Sequence, residues 1–100
     1  MSDAMPRRVQ LSRRKGYRKP AGAIVVSRPT RWGNPFAVAR DADTDARRRL
    51  VGDYRSFLER GLGAVTVADV RGQLRGKDLA CWCPLGQPCH ADVLLEIANR

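Results

Sequence analysis

Residues 78–99 read DLACWCPLGQPCHADVLLEIAN, and the order strand, loop, helix within them decides the fold. Leu79 to Cys83 is an apolar run preceded by Gly76, Lys77 and Asp78 and stopped by Pro84, which predicts a short strand. Pro84 to Pro88 is a loop with a glycine inside it. From Cys89 onward, Ala91, Leu94, Leu95 and Ala98 recur at helical spacing beside Val93 and Ile97, so a terminal helix is expected. Strand alternation sends Cys81 and Cys83 to one face and Trp82 to the other. All three cysteines of the chain and its one histidine, His90, fall in this stretch. Cys89 and His90 stand at or just before the helix N-terminus, where free N–H groups and the positive dipole end favour an anion or a thiolate.

Upstream, Arg8 to Ser12 (RVQLS) alternates polar and apolar, compatible with an edge strand, and Arg13 to Pro20 is a basic loop. Ala23 to Ser27 (AIVVS) is a β-branched run that suits a strand buried on both faces. Arg28 to Phe36 (RPTRWGNPF) follows as a loop stiffened by two prolines. Asp43, Thr44 or Asp45 can cap a long helix to about Arg60, stopped by Gly61, with Leu50, Val51, Tyr54, Phe57 and Leu58 as its buried stripe. Arg47 to Arg49 at its positive end are badly placed unless an anion sits nearby; a solvated face beside Asp41, Asp43 and Asp45 is the simpler reading. Thr66 with Asp69 forms a capping-box pattern for a second helix with Val67, Val70 and Leu74 on its apolar face, ended by Gly76.

The order strand, strand, helix, helix, strand, helix predicts a small single α/β domain, its short, mostly parallel sheet flanked by about three helices. Residues 1–12 form a basic N-terminal segment with the edge strand, and residues 13–100 form the domain. If Ala23–Ser27 and Leu79–Cys83 are parallel neighbours, the loops RPTRWGNPF and CPLGQPCH leave the same sheet edge, the edge where open α/β sheets bind ligands.

One hundred residues suffice for one modest core. Lysine and arginine outnumber aspartate and glutamate by 19 to 10, a net charge of +9. Arg7, Arg8, Arg13, Arg14, Lys15, Arg18 and Lys19 face only Asp3 in the first stretch. Such a segment attracts nucleic acid, phosphorylated ligands or an acidic partner, or is a solubilising arm. No stretch resembles a membrane span or a secretory signal. An odd, clustered set of cysteines argues against a secreted disulfide framework, so a reduced cytoplasmic setting is expected.

Two readings of the cysteine cluster stand open. In one, Cys81, Cys83, Cys89 and His90 bind zinc, the one candidate cofactor; the ligand inventory is right, although C-x-C is tighter than the usual spacing. In the other, Cys81 and Cys83 are buried strand residues, and Cys89 or His90 meets a ligand as nucleophile or acid–base group. Neighbours on a helix do not face each other, which counts against a direct Cys89–His90 dyad. Asp92 caps the helix or orients His90, capping being the simpler role. The RPTRWGNPF loop also has two readings. It is a structural turn with Trp32 and Phe36 in the core, or Trp32 stacks on a ligand that Asn34 bonds and Arg28 and Arg31 neutralise. Arg13, Arg14, Lys15 and Tyr17 can extend that surface.

RRKGYRKPAGAIVVSRPTRWGNPF followed by LRGKDLACWCPLGQPCHADVLLEIAN resembles a small, uncharacterised domain family of actinobacteria and their phages, with RPTxWGNPF and CWCP…PCHADVLLE as its signatures. The resemblance implies that residues 13–17 belong to the domain, and it implies no assigned reaction. The cysteine–histidine pair after a strand is also similar to a second broad, uncharacterised α/β family.

The expectation is a domain binding a nucleotide or nucleic acid between the two loops, with an enzyme using Cys89 or His90 as one form of it. The alternative is a non-catalytic, zinc-stabilised interaction module docking on a host protein or nucleic acid. Neither involves a membrane.

Overall fold

A computed structural model describes residues 6–28, 30–36 and 43–100. Pro29, Asp41 and residues 1–5 of the basic N-terminal segment lie outside them. The described chain forms β1 (Arg8–Gln10), β2 (Ile24–Val25), α1 (Thr44–Glu59), α2 (Val67–Leu74), β3 (Leu79–Cys81) and α3 (His90–Ala98). The strands make one parallel sheet in the order β1-β3-β2. Arg8 and Ile24 both pair with Leu79, so the last strand in sequence is the middle one in space. This is the small α/β domain with three helices that the pattern of elements predicts.

The strands differ from expectation in length and in rank. Ala23–Ser27 contracts to Ile24–Val25, an edge strand with both residues half-buried. The strand buried on both faces is β3, whose Leu79, Ala80 and Cys81 are all fully buried. β-Branching reports a liking for pleated backbone rather than a place in the sheet, while the small Ala80 and Cys81 let neighbours close in on both sides. β3 stops at Cys81 instead of Cys83, because its partners run out: β1 pairs as far as Gln10 opposite Cys81 and β2 as far as Val25 opposite Ala80. β1 ends at Gln10, although Leu11 N–H still donates to the Cys81 carbonyl at 2.7 Å. Arg7, in the basic N-terminal segment, is tied down by its N–H to Asp78 Oδ1 at 3.0 Å.

The helix signals were local and are met locally. Asp43 is the cap of α1, accepting the Ala46 N–H at 2.8 Å. Tyr54 and Leu58 of its stripe are buried, whereas Leu50, Val51 and Phe57 are half-buried. Thr66 and Asp69 close the capping box on α2 through two 3.0 Å bonds, each accepting the other's backbone N–H. Gly76 takes φ +76° just beyond that helix, a conformation open to glycine at little cost. α3 buries Ala91, Val93, Leu94, Ile97 and Ala98 and packs against α1, α2 and the sheet. Each fully buried aliphatic side chain of this kind contributes roughly 1.5–3 kcal/mol, which makes α3 the central helix of the core.

Candidate functional site

Because β2 and β3 run parallel, the chain leaves both at the same edge. The two loops that follow enclose a cavity of about 300 Å³. Ser27, Arg28, Asn34 and Phe36 come from the first loop, and Cys81, Trp82, Cys83, Pro88, Cys89 and His90 from the second and its flanks. Arg47, Leu50 and Val51 of α1 form a further wall.

The first loop is held by its own polar groups. Thr30 N–H and Oγ1 both donate to the Ser27 carbonyl, at 2.9 and 2.6 Å. Arg28 Nε donates to the Asn34 carbonyl at 2.8 Å. This fold-back needs Gly33, since a Cβ there would lie 2.9 Å from Arg28 Cγ and 3.1 Å from Arg28 N. Asn34 Oδ1 accepts the Phe36 N–H at 2.8 Å, and Asn34 Nδ2 donates to the Leu50 carbonyl at 3.4 Å. Asn34 thus stands at the cavity, with its amide engaged in fastening the loop to α1.

Trp32 and Arg31 are placed differently from the ligand-binding expectation. Trp32 is only 5 % exposed, packs in the core, and does not line the cavity. Its carbonyl accepts the Tyr54 hydroxyl at 2.7 Å, and burial pushes that phenol's pKa up. Arg31 bridges to Asp69 at 3.4 Å, lies over the Trp32 ring, and lines a separate groove with Phe57 and Val65. The turn of the loop sends Arg28, Asn34 and Phe36 to the cavity and Arg31 and Trp32 away from it. Phe36, in the structural reading a core residue, is instead 37 % exposed and edge-on to Phe57.

Arg8 on β1 fastens the second loop. Its side chain is 7 % exposed and donates to Asp92 Oδ2 at 3.1 Å, to the Pro84 carbonyl at 3.0 Å and to the Leu85 carbonyl at 2.6 Å. Asp92 in turn accepts the Cys89 N–H at 3.1 Å, so it caps α3 and does not orient His90.

The sulfurs of Cys81, Cys83 and Cys89 all lie within 4.8 Å of one another, close enough to hold a metal ion. Cys81 Sγ and Cys89 Sγ are 3.2 Å apart, far beyond the roughly 2.05 Å of a disulfide, and all three thiols are free. Bonds from the Cys81 and then the Cys89 thiols pull the pKa of Cys83 far down, with His90 and Arg8 adding to the effect. Cys89 is pushed up by its bonds to Cys81 and then Cys83, and Cys81 is pushed up to about 11, chiefly by its bond to Cys83. Thiolate character therefore gathers on Cys83 instead of on Cys89, the sulfur that the helix N-terminus favours by position.

His90 Nε2 lies 2.7 Å from the Val26 carbonyl. A carbonyl only accepts, so Nε2 carries the proton, and in the neutral ring Nδ1 presents its lone pair to Cys89 Sγ at 3.5 Å. The ring also meets Tyr54 edge-on, and desolvation lowers its pKa despite the bond to Val26. The direct contact with Cys89 departs from the helical-neighbour argument because Cys89 is the cap, with extended backbone at φ −147° and ψ 149°.

Of the outlying candidates, Arg13 stacks 4.9 Å over Trp82, itself 45 % exposed at the cavity. Tyr17 donates to the Gln10 carbonyl at 3.2 Å, and Lys15 is exposed; neither lines the cavity. Sequence reasoning missed Arg8, one basic residue among many. It also missed Trp82, which strand alternation had sent to the opposite face from the neighbouring cysteines. The helix-start placement of Arg47 was the signal that could have brought it to the site.

No described helix is long and apolar enough to cross a membrane. Comparison with curated proteins and with solved structures yields no match. A family model described as a domain of unknown function (DUF4326) matches residues 9–100, and the chain belongs to that family.

Proposed function

We propose that the cavity binds a small anionic molecule with a flat apolar part, of the nucleotide class. The observation that carries this reading is the composition of the walls. Arg28 and Arg47 face the cavity together with Phe36 and Trp82, and no carboxylate is among its described lining residues. A cavity of about 300 Å³ is at the lower end of the range for small-molecule sites. Arg13, stacked on Trp82, links the cavity to the basic loop, so a phosphodiester chain can continue out of it. Titration of the protein with adenosine diphosphate, followed by calorimetry, tests the reading. Arg47→Gln is expected to weaken binding by roughly 1.5–3 kcal/mol, the worth of a charged hydrogen bond, or about ten- to a hundredfold. Absence of binding, or indifference to the substitution, would remove it. Longer nucleic acid should bind with a salt-dependent affinity that falls on charge reversal of Arg13, Arg14 and Lys15.

The sulfur cluster favours a second reading: a zinc ion held by Cys81, Cys83 and Cys89. These come from the end of β3, from the loop and from the cap of α3, so the ion would tie three segments together. Untagged protein is expected to carry about one equivalent of zinc by elemental analysis. Cys83→Ser, at the half-buried position, should reduce that content to near zero; an unchanged content would exclude Cys83 as a ligand.

A further inference from the structure

We propose that the metal held by the three cysteines keeps one coordination position open to the cavity, to be filled by water or by an oxygen or nitrogen donor of the cavity's ligand. The proposal rests on the zinc reading above. Zinc takes four ligands in structural sites, whereas three protein ligands and one exchangeable position mark sites that act on small molecules.

Among the described residues, the groups able to hold a metal reduce to Cys81, Cys83 and Cys89; no histidine or carboxylate joins their set. Two such groups stand close by. Asp92 Oδ2 is shared between Arg8 and the Cys89 N–H, both at 3.1 Å. His90 Nδ1 lies 3.5 Å from Cys89 Sγ, its ring held by Val26 through Nε2, and stands outside the three-sulfur set. All three cysteines line the cavity, while Cys81 and Cys89 are otherwise buried in the core. The direction left for a fourth ligand is therefore the cavity itself.

The geometry needs little adjustment. Zinc–sulfur bonds of about 2.3 Å place tetrahedral sulfurs about 3.8 Å apart, against 3.2 Å between Cys81 and Cys89. Three thiolates on a divalent ion leave one negative charge. Arg8 lies against the same loop, and the N-terminus of α3 begins at the Cys89 cap, so both offset it.

The test uses the full chain with cobalt(II) in place of zinc and azide as the probe. Azide titration is expected to shift the visible cobalt bands saturably, with one azide per metal. His90→Gln is expected to take up cobalt with the spectrum of the parent protein. Bands indifferent to azide, or a parent spectrum that changes on His90→Gln, would mean a closed centre with His90 as fourth ligand and would overturn this proposal alone. A chain that takes up no cobalt overturns the zinc reading and this proposal with it.

Discussion

Trp32→Ala is expected to lower the unfolding free energy by roughly 3–5 kcal/mol, the cost of emptying a large aromatic site in a packed core. The ring is 5 % exposed, and the backbone carbonyl of the same residue receives the buried Tyr54 hydroxyl. A collapse around the vacated volume would disturb both the loop and α1. Small domains have a total stability of only about 5–15 kcal/mol, so the variant should melt far below the parent or not fold. Urea denaturation followed by circular dichroism measures the effect. A variant of parental stability that had lost ligand binding would instead put the ring at the cavity and contradict its place in the core.

The second large effect is expected at Arg8. Arg8→Met keeps the aliphatic length but removes donors to Asp92, Pro84 and Leu85. Charged hydrogen bonds contribute about 1.5–3 kcal/mol each, and losing one partner of a buried pair costs about 3–5 kcal/mol. Asp92 is 51 % exposed and would regain water, which lowers the expected loss to roughly 2–3 kcal/mol. Because Arg8 sets the position of the loop that carries Cys83, zinc uptake should fall with stability. Arg8→Lys should recover only part of both, since an ammonium lacks the planar fork of a guanidinium. Parental stability and metal content in Arg8→Met would refute the role given to this side chain.

What was legible in the sequence depended on local rules. Asp43, Thr66 and Asp69 announce helix starts because a cap and its N–H partner lie within three residues of each other. The shared edge of the two loops follows from the parallel alternation of elements, and Arg28, Asn34, Cys89 and His90 do line one cavity. The errors arose where a side chain's fate is decided from across the molecule. Trp32 turns inward because Tyr54 and the core receive it, and Arg8 is buried because the Pro84–Leu85 carbonyls and Asp92 need its donors. β2 is marginal because the middle of the sheet is occupied by a strand whose residues pair 55 positions later, Ile24 with Leu79, a pairing no local pattern encodes.

That placement of β3 has a consequence for how the protein comes into being. Among the described residues the first two strands pair only with the third, which follows α1 and α2 in the chain. A nascent chain that has emerged as far as α2 therefore holds two unpaired strands and no sheet, and must wait for residues 79–81 to supply the partner of both. Contacts so distant in sequence close slowly, because the loop entropy is spent before any pairing is gained. Cys81, Cys83, Cys89 and His90 leave the ribosome directly with and after β3, so the sheet, α3 and the sulfur cluster become available together. One late step thus makes both the fold and the site, and a chain halted at Gly76 would have neither.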